Sequence, residues 1–441
     1  MLEALPEFVK KISRTAVLPS HRSLLRSSTA PLSSFLPLRY LFALTMLMSI
    51  QFILSLILTL GMEAAEDPMP RTGSSSDAPP IKNGASSLHT ADLDGDGTVD
   101  VISASAGDGE IAWYPNVDRQ RNFPRKKVIA IGAASAQDVH TANLDGDGDQ
   151  DLIGAFGVTG KIAWFANDES GNFSDEKVIT SEASGAASIH TADLNDDGHQ
   201  DILSASRIDG KIAYYENDGN GNFSDQRIIS NEGEGARSVF AADLNGDGMK
   251  DVVYASSVRA GGSKIAWHRN TGDGFADQKV VTSETRGARA VHAADLDGDG
   301  DMDLLAGFSE LGLNIGQLAW FENTDSGGFS DSQVISSEVR GINAASTADL
   351  DGDGDQDILS TSSVSGADGE IAYVLSTAGT FASKSVIATG LSRAQSVDVA
   401  DLDGGGTPDI VGASHHGESI AWYRNRLLQG FGFSDSKLLA E

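Results

Sequence analysis

The 441-residue chain contains no cysteine, so neither a disulfide bond nor a cysteine-based zinc site can stabilise its fold. Basic residues are scarce as well, at 32 against 63 acidic residues, which leaves a formal net charge of −31. A surface this acidic repels phosphate, so we expect no nucleic acid partner. The sequence also lacks a phosphate-binding loop and a recognisable pair of nucleophile and base. We therefore expect a protein that is not an enzyme and that is stabilised by something other than disulfide bonds.

The amino-terminal part of the chain differs in composition from the rest. Residues 1–39 form a basic segment, residues 40–62 carry no charge, and residues 63–84 are rich in proline and serine. The uncharged run predicts a hydrophobic helix long enough to cross a membrane, so a retained signal anchor and a long cleaved signal peptide both stay open. The basic flank predicts that the amino terminus lies inside. We expect a flexible stalk over 63–84 and place the remainder outside the cytoplasm, at the cell surface or secreted.

The most informative feature is an acidic nine-residue segment that occurs seven times. Its copies begin at Asp92, Asn143, Asp193, Asp243, Asp295, Asp349 and Asp401. The fifth copy, 295–303, has aspartate at positions 1, 3, 5 and 9 and glycine at position 6. Alternate carboxylates in a tight turn can point at one centre, and several hard oxygen ligands suit calcium. The glycine fits the sharp turn that a loop around an ion needs.

The spacing of the copies, 50 to 54 residues, predicts a repeat architecture. Each repeat contains four short runs of β-branched and aromatic residues separated by Gly, Asn and Asp, and no run approaches helical length. Four strands at this period match a propeller blade, so the chain is expected to be all-β, with a seven-bladed β-propeller over residues 85–441. An open β-solenoid is the alternative, although its repeats are usually shorter and its end strands would be exposed.

One position of the third run is always a large aromatic residue. Its seven occupants are Trp113, Trp164, Tyr214, Trp267, Trp320, Tyr373 and Trp422. Large aromatic rings dominate the burial energy of a core, so packing between adjacent blades is the favoured interpretation. The alternative is a platform on which sugars stack, which requires exposed rings.

Histidine stands three residues before the acidic loop in four repeats, as His89, His140, His190 and His292. This strand is expected to lie nearest the central channel. Four imidazoles there could bind a transition metal. Phe240 at the same position of the fourth repeat favours simple packing instead.

The repeated pattern Thr-Ala-Asp-Leu-Asp-Gly-Asp-Gly, an apolar strand, Ile-Ala-Trp-Tyr-x-Asn and then Gly-x-Phe resembles the FG-GAP/VCBS repeat family. The resemblance extends over the whole of residues 85–441. It implies the seven-bladed propeller of integrin α-subunit heads and of some calcium-containing lectins. It also implies that each acidic loop joins the first and second strands of a blade and binds Ca²⁺, up to seven ions in all.

The ligands that the resemblance implies are the residues at positions 1, 3, 5 and 9 and the main-chain carbonyl at position 7. They are Asp92, Asp94, Asp96, Thr98 and Asp100; Asn143, Asp145, Asp147, Asp149 and Asp151; Asp193, Asn195, Asp197, His199 and Asp201; Asp243, Asn245, Asp247, Met249 and Asp251; Asp295, Asp297, Asp299, Asp301 and Asp303; Asp349, Asp351, Asp353, Asp355 and Asp357; and Asp401, Asp403, Thr407 and Asp409. Asparagine at position 1 or 3 keeps a carbonyl oxygen for the metal. Gly405 removes the position-5 ligand, so the seventh site is expected to be the weakest.

The expected function is recognition or adhesion by an extracellular propeller that binds a protein or a glycan. The alternatives are a calcium-dependent lectin and a polysaccharide-active enzyme, although sevenfold repetition of the carboxylates argues against one catalytic site. The loops between second and third strands are expected to lengthen in the fourth to sixth repeats, at 257–263, 309–316 and 362–369, on the face opposite the acidic loops. Because loops on a rigid scaffold often carry function, a ligand is predicted to dock there, and the alternative is neutral drift in the length of exposed loops. The predicted contacts are Arg259, Glu310, Leu311, Leu313 and Asn314.

Overall fold

A computed structural model describes residues 84–117, 123–124, 126–131, 135–258, 262–283, 287–310, 315–362, 369–416, 419–434 and 436–440. The chain divides into two compact units, Met1–Ser74 and Ser75–Glu441, and all described residues belong to the second unit. The predicted basic segment and hydrophobic helix, and the stalk up to residue 83, lie outside the described residues. Within those described, no helix combines the length and the apolar character needed to cross a membrane.

Seven four-stranded antiparallel sheets follow one another along the chain, and in each the strands neighbour one another in chain order. The first strands are Ala85–Ala91, Ala136–Ala142, Ala186–Ala192, Ala236–Ala242, Ala288–Ala294, Ile342–Ala348 and Ala394–Ala400. The second strands are Asp100–Ser105, Asp151–Phe156, Asp201–Ser206, Asp251–Ser256, Asp303–Glu310, Asp357–Ser362 and Asp409–Ser414. The third strands are Ile111–Tyr114, Lys161–Phe165, Ile212–Tyr215, Lys264–His268, Ile315–Phe321, Gly369–Val374 and Ser419–Tyr423. The fourth strands are Lys127–Ala130, Lys177–Thr180, Arg227–Ser230, Lys279–Thr282, Gln333–Val339, Ser385–Leu391 and Lys437–Ala440.

Small additions complete the blades. Two short hairpins pair Asn323–Asp325 with Gly328–Phe329 and Ser376–Thr377 with Thr380–Phe381. The described residues contain no α-helix and one 3-10 turn, Leu427–Gln429. The prediction of an all-β, seven-bladed propeller with four-stranded blades is confirmed.

Burial changes from the axis of the propeller to its rim. The first strands of neighbouring blades pack against one another around the axis, including the seventh against the first. The second strands, such as Asp201–Ser206, are buried along their whole length because both faces are covered by adjacent blades. The fourth strands of the first five blades begin with two exposed residues, as in Lys177–Thr180. Seven clusters of buried apolar residues each span two neighbouring blades, so the core lies between the blades.

The repeated aromatic position packs between blades, as predicted. The five tryptophans expose at most 6% of their surface, so they offer no stacking platform for sugars. Each ring of the position meets a phenylalanine of the next blade edge-on. The pairs are Trp113–Phe173, Trp164–Phe223, Tyr214–Phe275, Trp267–Phe329, Trp320–Phe381, Tyr373–Phe433 and Trp422–Phe123.

The Gly-x-Phe motif is explained by the same contact. Gly171 has a φ of +66°, and a Cβ built on it would lie 2.1 Å from the ring of Trp113. Only glycine allows that close approach and that left-handed backbone at once. The glycine therefore makes room for the tryptophan of the preceding blade, and Phe173 covers the edge of its ring.

Side-chain contacts close the ring, since every blade is built from one continuous stretch of chain. Asn116 Nδ2 of the first blade donates to Leu402 O of the seventh, at 2.8 Å. Thr90 Oγ1 donates to Asp398 Oδ2, at 2.9 Å. The edge-on pair of Phe123 and Trp422 completes this interface. The first and seventh blades thus meet in the same way as other neighbours.

The insertion in the fifth blade differs from its prediction. Sequence spacing predicts a loop over 309–316, but Ser309 pairs with Gly316 and Glu310 with Ile315. The extra residues extend the second and third strands instead, because continued antiparallel pairing satisfies backbone donors and acceptors that a loop would leave open. The connection between the two strands therefore shrinks to 311–314.

Candidate calcium loops and ligand pockets

Each acidic loop joins the first and second strands of its blade, as predicted, and its own carboxylates fold it. In the fifth loop, Gly300 N donates to Asp295 Oδ2 at 3.1 Å, and Gly300 has a φ of +97°. Asp301 N donates to Asp299 Oδ1 at 2.9 Å. The bond between positions 5 and 7 recurs in the first six loops. Position 1 therefore closes the turn, and glycine at position 6 permits it.

The carboxylates at positions 1, 3 and 5 converge in three loops, so that one oxygen of each lies within 4.8 Å of the others. These groups are Asp92, Asp94 and Asp96; Asp295, Asp297 and Asp299; and Asp349, Asp351 and Asp353. The pKa of the position-3 carboxyl is raised in all three loops, first by burial and then by the neighbouring negative charges. A cation at their centre would remove that repulsion.

The first two loops contain polar atoms that fit a cation. Asp92 Oδ1 and Asp94 Oδ1 in the first loop, and Asp145 Oδ1 in the second, are buried and accept no hydrogen bond from the described residues. Buried oxygens of this kind are costly unless a donor or a metal ion satisfies them. Several carboxylate oxygens and a main-chain carbonyl form the hard ligand set that calcium prefers. The residues of these loops thus fit the ion that the resemblance implies.

Position 9 has a structural role that its place in the loop did not reveal. The side chain of Asp303 is fully buried. Its Oδ2 accepts from Leu296 N at 3.1 Å, and its Oδ1 accepts from Asn323 N at 2.7 Å. Burial raises the pKa of its carboxyl to about 6, and the position-9 aspartates of the other loops shift in the same direction. This carboxylate ties the acidic loop to the turn that follows the third strand. Asp303 is not part of the convergent group of Asp295, Asp297 and Asp299, whereas its counterpart Asp409 does converge with Asp401 and Asp403 in the seventh loop.

The asparagine that follows the third strand has a structural role that the sequence does not predict. Asn323 Nδ2 donates to Leu244 O of the preceding blade at 2.9 Å and to Met302 O of its own blade at 3.0 Å. The equivalent inter-blade bond occurs in six blades. In the sixth blade Ser376 takes this place, and its buried Oγ has no partner among the described residues. The recurrence of Asn at this position is the one signal for this role in the sequence, because the bonded carbonyl lies in another repeat, 75 residues away for Asn425.

The seventh loop differs from the others in its charge. Asp401, Asp403 and Asp409 converge there, while Gly405 stands at position 5. Arg424 Nε lies 2.5 Å from Asp403 Oδ2 and forms an ion pair with it, although this oxygen and Asp409 Oδ2 are buried and accept no hydrogen bond of good geometry from the described residues. A Cβ built on Gly405 would lie 4.0 Å from Arg424 Nη2, so the guanidinium occupies the space beside the missing carboxylate. This loop therefore contains a cation of its own, which sequence spacing did not reveal.

The asparagines at positions 1 and 3 take over hydrogen bonds of the loop. Asn143 Oδ1 accepts from Gly146 N at 2.9 Å. Asn195 Oδ1 accepts from Asp197 N at 3.0 Å, and its Nδ2 donates to Asp197 Oδ2 at 3.0 Å. An amide donor next to a carboxylate lowers the repulsion that a third carboxylate would add. In the third loop, this amide thus stands where the fifth loop has a converging carboxylate.

The four channel histidines and Phe240 form an arc of contacting rings around the axis, one from each of the first five blades. His89 and His140 stack with ring centroids 4.3 Å apart, and His190 lies 4.3 Å from Phe240. Burial lowers the pKa of His89 to about 4 and that of His140 to about 3, and the pKa of His292 falls to about 4 for the same reason. Within the described part of the chain, the side chains that converge as possible metal ligands are the aspartates of the loops. The histidines are therefore packed, neutral rings rather than a metal centre.

Two cavities lie at opposite faces of the propeller. One, of 190 Å³, surrounds the start of the seven first strands, on the face opposite the acidic loops. The other, of 260 Å³, lies between the third and fourth blades on the acidic-loop face. Its lining includes Asn195, Tyr214, Glu216, Arg227 and Asp273. Tyr214 is partly exposed at the position where five blades bury a tryptophan.

Most of the predicted ligand face lies outside the described residues. Arg259, Leu311, Leu313 and Asn314 lie outside the described residues, and only the backbone of Glu310 is described, at the end of its strand. The docking of a ligand over the fourth to sixth blades stays a prediction.

Comparison with known proteins supports the repeat assignment. A family model described as an FG-GAP-like repeat matches residues 92–154, 143–204, 193–254, 244–306 and 311–360. No curated protein matches the chain. Among 490 similar chains of solved structures is an Agrocybe aegerita lectin, described as recognising non-reducing terminal N-acetylglucosamine. The two are 19% identical, with a TM-score of 0.54 over 81% of this chain and 94% of the lectin. That likeness supports the fold alone, whereas the repeat matches cover more than half of the sequence, and the chain therefore belongs to the FG-GAP-like repeat family.

Proposed function

We propose that this protein is a non-catalytic, calcium-stabilised propeller that binds a glycan outside the cytoplasm. The observation that carries the proposal is the cavity beside Tyr214, in a fold shared with a lectin for terminal N-acetylglucosamine. The loops support the calcium part, because their carboxylates converge and leave buried oxygens without donors. Up to seven ions would bind, with the seventh loop the weakest site.

The cavity beside Tyr214 has the mixture of groups that sugars require. Tyr214 and Phe275 provide aromatic surface, with ring centroids 5.4 Å apart. Arg227 Nη1 lies 2.6 Å from Glu216 Oε1, so this pair fixes polar donors and acceptors at the edge of the cavity. A pyranose presents an apolar C–H face and a rim of hydroxyl groups, and pockets with few, well-placed polar groups suit such ligands. The first candidate is a neutral terminal sugar such as N-acetylglucosamine.

The cellular placement rests on the amino-terminal sequence. Residues 40–62 would insert as a signal anchor or be removed as a signal peptide, after the basic segment 1–39. The propeller, carried on the stalk 63–84, would then face the outside. Extracellular calcium modules bind with Kd values of about 10⁻⁴–10⁻³ M, which suits an ion that is abundant there.

The test is a glycan array with the full chain in millimolar calcium and in excess chelator. Binding is expected in calcium, and Tyr214→Ala should weaken it at least tenfold. Tyr373→Ala is the matched control, because this tyrosine occupies the same position in the sixth blade against Phe433. Absence of glycan binding in calcium, or an equal loss in both variants, would contradict the proposal. Release of reducing ends from a polysaccharide panel would identify an enzyme instead.

A further inference from the structure

The mouth of the central channel is chemically unlike the rest of the propeller. Residues from the start of all seven first strands line its 190 Å³ cavity, among them Ser86 from the first blade and Gln395 from the seventh. The cavity therefore lies on the axis of the propeller. It opens on the face opposite the acidic loops, because each loop follows the far end of a first strand.

Positive charge collects at this mouth, although the chain has a net charge of −31. Three arginines, Arg207, Arg237 and Arg289, line the cavity together with one acidic residue, Asp138. The oxygens of Asp138 accept hydrogen bonds from Ser87 Oγ at 2.6 Å and from Ile189 N at 2.8 Å. This carboxylate is thus bonded to two neighbouring blades. The three arginines therefore leave an excess of positive charge in the cavity, which favours binding of an anion.

Arg289 provides the most direct sign of a missing ligand. Its Nη1 donates to Asn343 Oδ1 at 2.7 Å, while its Nε is buried and has no hydrogen-bond partner among the described residues. Burial and the positive charge of Arg393 lower the pKa of its guanidinium. A buried cation next to a like charge, with a donor left over, is costly unless an anion accompanies it.

The geometry suits oxygen anions in particular. A guanidinium presents parallel N–H donors that match the two oxygens of a carboxylate or the edge of a sulfate. Serine hydroxyls and the amides of Gln137, Asn343 and Gln395 surround the arginines and can complete the coordination. The cavity is large relative to the ~30 Å³ that one water occupies in the liquid, so it has room for such a group.

We propose that the channel mouth is an oxyanion site in which Arg237 and Arg289 hold a carboxylate or a sulfate. This site is separate from the glycan cavity beside Tyr214, which lies on the other face, and it does not depend on glycan binding there. The anion could be a free inorganic ion or an acidic group on a larger ligand such as a uronic acid. The chemistry of recognition is the same in both cases.

The experiment is calorimetric titration of the full chain with sodium sulfate, sodium glucuronate and glucose, at constant ionic strength set with chloride. Saturable binding is expected with sulfate, glucuronate or both, and none with glucose. Binding of sulfate alone would indicate a free ion, and binding of glucuronate would indicate a sugar acid. Direct titration is needed because sulfate also stabilises proteins generally by exclusion from their surface.

Variants assign the binding to the mouth. The double variant Arg237→Gln/Arg289→Gln should bind at least tenfold more weakly, and Arg269→Gln, an exposed arginine elsewhere on the fourth blade, should bind like the original protein. Tyr214→Ala should also leave anion binding unchanged, which separates this site from the glycan proposal. If the double variant does not fold, the exposed Arg207→Gln decides, with an expected loss of threefold or more. No saturable binding of either anion, or unchanged affinity in these arginine variants, would overturn the proposal.

Discussion

The fifth and seventh acidic loops occupy equivalent places in the ring but offset their negative charge in different ways. In the fifth loop, Asp295, Asp297 and Asp299 converge. In the seventh loop, Gly405 replaces the position-5 carboxylate, and Arg424 Nε lies 2.5 Å from Asp403 Oδ2. Under the proposed function, the fifth loop would take a cation from solution, whereas the seventh loop contains the guanidinium of Arg424.

If the loops bind calcium as proposed, this difference implies that the repeated motif alone does not set the demand of a loop for metal. The demand depends on how many carboxylates converge and on whether a side chain from another strand neutralises them. Arg424 follows the third strand, 21 residues after Asp403 in the sequence, and only the folded blade brings the two together.

The largest expected effect comes from removing calcium altogether. A site filled at about ten times its Kd contributes ~1.4 kcal/mol to the free energy of unfolding, so six responsive loops together contribute about 8 kcal/mol. Chelation should therefore lower the Tm of the propeller substantially. The measurement is thermal melting in millimolar calcium and in excess chelator. An unchanged Tm after verified metal removal would show that the loops do not depend on calcium.

A second prediction compares one substitution in each loop. In millimolar calcium, Asp299→Ala should destabilise the protein by about 1–2 kcal/mol through loss of a metal ligand. Asp403→Ala should cost less, about 0.5–1 kcal/mol, because it removes a partly exposed ion pair. In chelator the order should reverse, since Asp299→Ala then relieves repulsion while Asp403→Ala still leaves Arg424 without its partner.

Chemical denaturation of both variants in both buffers measures this reversal. The same order of stability in calcium and in chelator would mean that Arg424 does not substitute for the ion.

The third prediction converts the seventh loop into one like the fifth. The double variant Gly405→Asp/Arg424→Gln restores the position-5 carboxylate and removes the internal cation. Its stability in calcium relative to chelator should increase by ~1.4 kcal/mol over the original protein. Gly405→Asp alone is the control, because Arg424 still fills the space beside position 5. An equal gain in the single variant would assign the effect to ligand number only.

The sequence was sufficient to predict the blades because each one repeats the same local pattern. Seven copies of an acidic turn between short apolar strands fixed the number of blades, the place of each loop and the glycines that turn it. The packing of Trp113 between blades also followed, because a large aromatic ring at a recurring strand position is most stable when buried.

Contacts between repeats could not be predicted in the same way. Asn323 on Leu244 and the arginines at the channel mouth each bring together residues from different repeats. Period and composition describe one repeat at a time, whereas these groups depend on how adjacent blades are rotated about the axis. The prediction of a loop over 309–316 was wrong because strand pairing extends into both ends of this range, at 309–310 and 315–316.

The smallest expected effect concerns the histidines of the channel. Its size must be known before the stabilities of variants in the two loops are compared at acidic pH. Burial lowers the pKa of His140 to about 3, below its ordinary value of ~6.5. Between these values the unfolded chain binds a proton that the folded protein does not, so stability falls as the pH falls. From pH 7 to pH 5 this linkage is on the order of 1 kcal/mol. His140→Phe should remove the pH dependence that His140 contributes to stability. The arc of rings already includes Phe240 from the fourth blade, next to His190. Denaturation of both proteins at pH 7 and pH 5 tests this, and an equal loss of stability in the two would show that His140 is protonated as readily in the fold as in the open chain.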